Sequence, residues 1–206
     1  MIIFVGGVIG AGKSSVARGL AQHLSLHYYD VDEHKRTIYS EDPDFEYNMQ
    51  HGVPFCEETR MRLFRKVVED FAELSRNHQH LVVDETLHKK KLRDFLFEHA
   101  TRYFGGYLVI WVKASEEVIL ERLTTQVREG HLLKDPISMH KAFLKEFEPF
   151  EESIIICRNE GALEDTIEEI NCLLCTIRRW GPARATGWVF RNAVYLRACA
   201  GLAISW

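Results

Sequence analysis

Short apolar runs and amphipathic stretches alternate along this chain. Ile2-Ile3-Phe4-Val5 is apolar at every position over a length that suits a strand, the pattern of one covered on both faces. A glycine-rich turn follows, then a helical pattern from about Lys13 to Leu24, and a second strand from Leu26 to Val31. Between Glu57 and Asn77, residues Met61, Phe64, Val67, Val68, Phe71 and Leu74 recur at i, i+3, i+4 spacing, which gives a long helix one apolar face. Leu81-Val82-Val83 is a third strand and His88 to Ala100 a helix. Tyr107 to Val112 is a fourth strand, and Ser115 stands as N-cap before the helix that Glu117 and Val118 begin. Ser153 to Cys157 and the helical stretch Leu163 to Leu174 complete the series. Strands separated throughout by helices predict an α/β fold: a three-layer α/β/α sandwich with a mostly parallel, five-stranded sheet.

The 206 residues are 46% hydrophobic and 27% charged, which suits one globular domain able to bury roughly 70% of its unfolded surface without disulfides or structural metal. No run approaches the ~18 uninterrupted apolar residues of a membrane span, so no membrane role is expected. The apolar start lacks a basic flank and runs straight into Gly10-Ala11-Gly12-Lys13, unlike a secretory signal, and five scattered cysteines fit reduced thiols. A cytoplasmic protein is expected. Charge is uneven: Thr176 to Trp206 holds five Arg, three of the four Trp and no acid, leaving 21 basic against 30 acidic residues before it. Residues 1–175 therefore read as the domain, and 176–206 as a basic, Trp/Arg-rich tail, unstructured or even a non-native extension. The acidic balance of the domain does not favour an extended phosphate backbone as partner.

One motif dominates the chemistry. Gly7-Val8-Ile9-Gly10-Ala11-Gly12-Lys13-Ser14 fits G-x-x-x-x-G-K-[ST] without mismatch, between a predicted strand and a predicted helix. Its glycines let backbone N–H groups turn inward around phosphates, and the helix that follows adds its positive end. Lys13 would serve the β- and γ-phosphates and the Ser14 hydroxyl a Mg²⁺ ion, so ATP and Mg²⁺ are the expected cofactors. Ser15 is counted with the phosphate-binding residues. Leu81-Val82-Val83-Asp84-Glu85 is an apolar strand ending in acids, and Asp84 at the carboxyl edge of the sheet is the second candidate for the metal.

Tyr28-Tyr29-Asp30-Val31-Asp32 places two carboxylates one residue apart at the end of the second strand. One can face the metal, assigned to Asp30, and the other the acceptor, assigned to Asp32 as general base; a helix N-cap would explain Asp32 equally well. Arg122 and Arg128 precede the polar break Gly130, His131, Asp135, Pro136, which marks a lid over about 124–140. Arg128 is the candidate to offset charge on the transferring phosphoryl group, and Arg122 is a nucleotide-binding candidate.

On these marks the chain resembles the P-loop small-molecule kinases, the group of gluconate, shikimate and adenylylsulfate kinases and generic AAA-type ATP-binding domains, over residues 1–175. Further marks are Met49-Gln50-His51-Gly52-Val53-Pro54 followed by Glu57-Glu58-Thr59-Arg60, similar to a gluconate-kinase acceptor segment, and Phe147-Glu148-Pro149 after the lid. The resemblance implies a nucleoside-kinase-like fold with a helical lid, acceptor contacts from Asp32, Arg36 and Arg60, and Asn159 beside the adenine base. It implies transfer of the ATP γ-phosphate to a hydroxyl of a small metabolite such as a sugar acid. Arg60 leads into Met61-Arg62-Leu63-Phe64 rather than the D-R-x-x-W-L segment usual in gluconate kinases, which leaves the acceptor open. Two alternatives stand beside this reading. Val83-Asp84-Glu85-Thr86-Leu87 with Lys89-Lys90-Lys91 and Arg93 is similar to 5′-polynucleotide kinase domains, and a regulatory module would bind ATP without transferring phosphate.

Overall fold

The computed structural model describes residues 1–125, 134–180 and 193–196. In chain order the elements are β1 (Ile2–Gly7), α1 (Lys13–Leu24), β2 (His27–Asp30), α2 (Asp32–Tyr39), α3 (Phe45–His51), α4 (Glu57–Leu74) and β3 (Leu81–Asp84). There follow α5 (Lys90–Phe104), β4 (Tyr107–Lys113), α6 (Glu116–Thr125), α7 (Pro136–Glu146), β5 (Ile154–Arg158), α8 (Leu163–Trp180) and β6 (Ala193–Leu196). The sheet order is β2-β3-β1-β4-β5-β6. The five expected strands pair in parallel, as the alternation with helices requires, and β6 adds a sixth, antiparallel to β5.

The apolar run of β1 explains its central place. Ile3 and Val5 face one side, packing with Val16, Leu20 and Ala21 of α1 and Ile170 and Leu173 of α8. Ile2 and Phe4 face the other, against Leu63, Val67 and Phe71 of α4 and Leu96 and Phe97 of α5. Phe4 is fully buried, with its ring centroid 5.2 Å from Phe97 and 6.3 Å from Phe71. Phe4→Ala would open a cavity where both helices meet the sheet, at a cost of roughly 3–5 kcal/mol.

The chain leaves β1 for the edge strand β2, returns through β3, and then crosses to the opposite side of β1 as β4. Connections therefore diverge at the carboxyl ends of β1 and β3, where open α/β sheets hold ligands. Register places Val5 beside Asp84 and Asp84 beside Asp30, so both acids arrive at that edge together.

Local chemistry sets several boundaries. Asp135 accepts a hydrogen bond from Ser138 N at 2.9 Å with Pro136 next to it, a capped start for α7. α5 starts at Lys90 rather than His88, because Glu148 Oε2 accepts from Lys90 N at 2.5 Å and fixes the first turn there. The change in composition at residue 176 falls inside α8, whose Leu173 and Leu174 are core residues. Among the described residues no helix is long and apolar enough to cross a membrane.

Candidate active site

The loop between β1 and α1 turns on two left-handed glycines, Gly10 (φ 85°) and Gly12 (φ 87°). A Cβ on Gly10 would come within 2.9 Å of Ile119 Cγ2, and one on Gly12 would overlap the Asn159 side-chain amide. Glycine is thus required there by backbone conformation and by space. Ala11 N–H donates to Val8 O at 3.1 Å, and Val16 N–H to Gly12 O at 3.1 Å opens α1. With no acid in the first turn of α1, its free N–H groups and positive end face the loop uncompensated.

Arg122 and Asn159, expected at the nucleotide, both grip the loop itself. Ala11 O accepts from Asn159 Nδ2 at 3.0 Å and from Arg122 Nη1 at 3.2 Å, while Arg122 Nη2 donates to Asn159 O at 2.9 Å. Because the peptide is trans and planar, pinning the Ala11 carbonyl toward Asn159 aims the Gly12 N–H the opposite way. Asn159 is held in turn by its own N–H to Lys113 O at 2.8 Å, at the end of β4. On another side His140 of α7, 2% exposed, donates from Nδ1 to Ile9 O at 2.9 Å. Three distant segments thereby fix one loop.

Lys13 Nζ lies 3.5 Å from Asp84 Oδ1, with both side chains nearly buried. Burial opposes its ammonium, but Asp84 and Asp32 outweigh that and raise its pKa, so Lys13 is charged. Asp84 Oδ2 lies 3.2 Å from the Tyr28 hydroxyl, which also sits 3.1 Å from Asp30 Oδ2. Burial and these two carboxylates push the Tyr28 pKa well up, keeping the phenol protonated between them. Asp30 is also engaged by Arg18 Nη2 at 3.3 Å and, through Oδ1, by the Asp32 N–H at 3.0 Å. Asp32 Oδ1 pairs with Lys35 Nζ at 2.6 Å, and Lys35 reaches Glu85 Oε2 at 3.2 Å.

These oxygens suit a hard cation. Asp84 Oδ1 is buried without a hydrogen bond, on the strand next to β1, whose loop leads into α1 and the Ser14 hydroxyl. Among the described residues no group of three His, Cys, Asp or Glu could hold a metal alone. A Mg²⁺ ion takes one or two carboxylates together with phosphate oxygens brought by a nucleotide, and Asp84 with the Ser14 hydroxyl could supply the protein's share.

A single cavity of about 1230 Å³ joins most of the predicted site. Lys13, Ser14 and Ser15 line it with Arg122 and Asn159, and so do Asp30, Asp32, Arg36 and Arg60. Gly7, Ala11 and Asp84 are buried beside it, and Arg128 lies outside the described residues. Sequence reasoning missed Lys35, Thr86 and His88 in the same cavity, and the aromatic wall of Tyr39, Phe45, Phe55, Phe64 and Phe143. Lys35 stood one residue from Arg36 as an ordinary helical lysine, and no pattern tied His88 to Arg60, 28 residues earlier. Lys89, Lys90 and Lys91 are each matched to acids: Lys89 to Glu146 and Glu148, Lys90 to Asp94 and Glu151, and Lys91 to Glu57.

A family model described as an AAA domain matches residues 3–138, which take in the loop, both acid pairs and the strands that carry them. The chain belongs to the AAA domain family. Solved structures share the fold of this AAA domain. A sugar kinase from Janibacter sp. HTCC2649 superposes with TM-score 0.66 at 24% identity, over 84% of this chain and 94% of that one. A gluconokinase from Sinorhizobium meliloti 1021 gives 0.64 at 24%, over 85% and 91%, and a shikimate kinase from Aquifex aeolicus vf5 gives 0.53 at 22%, over 88% and 100%.

Proposed function

We propose that the protein is an ATP-dependent phosphotransferase that moves the γ-phosphate of Mg-ATP to a hydroxyl group of a small metabolite, a sugar acid or similar compound. The observation that carries this reading is that the braced phosphate loop and the Asp32, Arg36 and Arg60 side chains open into one cavity. At about 1230 Å³ it exceeds the roughly 300–1,000 Å³ that suits a single ligand, so donor and acceptor can lie side by side. Lys13 and the N–H groups of the loop hold the phosphates, and Ser14, Asp84 and Asp30 would hold a Mg²⁺ ion, which would neutralise phosphate charge. Asp32 accepts the proton of the incoming hydroxyl. Lys35 stands between Asp32 and Glu85, ready to exchange its ion pairs for a phosphoryl oxygen as charge moves. Arg36 and Arg60 orient the acceptor, and Arg128 of the lid segment stabilises the transferring group.

A nucleic-acid end as acceptor is disfavoured by the lysine run, since its charges are matched by acids on the protein and leave little to exchange for phosphate counterions. The scattered cysteines and the acidic balance of residues 1–175 support a cytoplasmic enzyme. The test is ADP release with ATP and Mg²⁺ against D-gluconate, shikimate, adenylylsulfate, neutral sugars and a 5′-hydroxyl oligonucleotide, with products identified by mass. Tight ATP binding without transfer to any acceptor would overturn the reading in favour of a binding module, and salt-steep transfer to the oligonucleotide would favour the polynucleotide kinase.

A further inference from the structure

The segment after β3 folds back as a loop rather than entering α5 at once, and its polar side chains are almost wholly buried: Glu85 is 3% exposed, Thr86 and His88 5% each. Buried polar groups must be paired, and here the pairing has a direction. Arg60 carries only donors, so its Nη1 donates to His88 Nε2 at 2.6 Å and that nitrogen bears the lone pair. The ring proton of the neutral imidazole then sits on Nδ1, facing Thr86 Oγ1 at 3.3 Å, and the Thr86 hydroxyl donates its hydrogen bond to Glu85 Oε1 at 2.5 Å. The chain runs one way from guanidinium to carboxylate, and it closes only if His88 is neutral.

The surroundings enforce that state. The imidazole stacks on Phe143 of α7 with centroids 4.1 Å apart. Burial, with Arg60, Lys35, Lys89 and Arg93 around it, pushes the His88 pKa down to about 3, against which Glu85, Glu146 and Glu148 are the nearby acids. Its backbone is clamped as well: Glu148 N–H donates to His88 O at 2.9 Å, and the fully buried Arg93 donates to Glu148 O at 2.8 Å and Pro149 O at 2.5 Å. Arg60 itself, 8% exposed, has Glu146 Oε2 3.5 Å from Nη2 and leaves Nε buried without a partner while lining the cavity.

We propose that His88 is a positioning residue for acceptor recognition: as the Nδ1-protonated neutral ring it fixes the plane of the Arg60 guanidinium and leaves the remaining N–H groups of Arg60 for an anionic or hydroxylated acceptor. The inference rests on the kinase reading for its purpose, but the state of the ring and the restraint on Arg60 do not depend on any acceptor.

The experiment is ¹⁵N-resolved NMR of the imidazoles and arginine Nε–H groups in the full chain between pH 5.5 and 8, on the wild type and on His88→Gln, His88→Ala and Thr86→Val. His88 should stay neutral with its proton on Nδ1 across the range. The Arg60 Nε–H signal should persist in His88→Gln, whose carbonyl oxygen can stand in for Nε2, and be lost to exchange in His88→Ala. Thr86→Val should raise the exchange of the His88 ring proton. With D-gluconate as acceptor probe, His88→Ala should raise its KM about ten-fold or more, the loss of one buried hydrogen bond to a charged group, while the KM for ATP changes less than two-fold. A ring protonated on Nε2, a titration of His88 inside this pH range, or an Arg60 signal unchanged in His88→Ala would overturn the proposal. Absence of transfer to every acceptor in the panel would instead count against the kinase reading, and the NMR signals would still decide the role of His88.

Discussion

Gly12 and Asn159 are 147 positions apart, yet they make opposite demands on the same point in space. Gly12→Ala forces an L-residue to φ 87°, at roughly 1–2 kcal/mol. Its new methyl would also overlap Asn159 Nδ2 and drive that amide off Ala11 O, a further loss of about 1 kcal/mol. Arg122 Nη1 lies 3.4 Å from the methyl position, an ordinary contact, so Arg122 stays. The single variant should therefore lose about 2–3 kcal/mol. Asn159→Ala alone removes one of two donors to the Ala11 carbonyl from a nearly buried site and should lose about 1–2 kcal/mol. In the double variant the methyl has room and the amide bond is counted once. The combined loss should thus fall short of the sum of the singles by about 1 kcal/mol. Urea unfolding of the four proteins in the cycle, each also titrated with ATP, measures the coupling. Additivity within about 0.3 kcal/mol would refute the claim that Asn159 acts on the phosphate loop. ATP affinity unchanged in Asn159→Ala would refute the claim that the brace aims the loop at phosphate.

Lys13→Ala should abolish nucleotide-dependent turnover while leaving the urea midpoint close to that of the wild type; turnover at the wild-type rate would remove Lys13 from the reaction. Asp32→Asn should lower kcat by ~10²–10⁴ with ATP affinity nearly unchanged, as expected for a general base. Weaker ATP binding with kcat intact would instead place Asp32 on the metal or at the start of α2. Arg60→Ala should raise the acceptor KM far more than the ATP KM in the same assay. Truncation after Trp180 should preserve ATP binding, because β1 to β5 and the loop are complete before it; an insoluble or non-binding product would make the β5–β6 pairing essential.

The parallel sheet was legible because its signal is local. Ile2 to Val5 and Leu81 to Val83 are apolar at every position, and a strand can be so only when helices cover both faces. The glycine-rich turn between β1 and α1 was legible for a related reason: its glycines, lysine and serine lie within eight residues, and Gly10 and Gly12 take the left-handed conformation that such a turn needs. α3 escaped because seven residues scarcely complete two turns, and its buried Asn48 and Met49 gain their burial from distant partners, with Met49 O accepting from Lys134 N at 3.2 Å. β6 escaped because a four-residue edge strand depends on the β5 it joins.

The side of the cavity lined by Asp32, Arg36 and Arg60 was only half legible, and the reason is physical. The sequence offers Asp32, Arg36, Arg60 and Glu85 as charges but does not show which charge neutralises which. Lys35 satisfies two acids, from α2 and from the end of β3, that local spacing cannot bring together. The lysines at 89–91, which in sequence look like a phosphate-binding run, are taken up by acids from α4, α5, α7 and the segment 148–151. Arg122 and Asn159 show the complementary case: position in the sequence pointed Arg122, and the family resemblance Asn159, to the nucleotide, whereas both make hydrogen bonds to the Ala11 carbonyl. A charged side chain reaches beyond its own element, so at a sheet edge the candidates come from every element that ends there. Composition and spacing can therefore identify the edge where chemistry gathers. The assignment of a positioning role to His88 and a bridging role to Lys35 needed the packing of α4, α7 and the 85–89 loop around them.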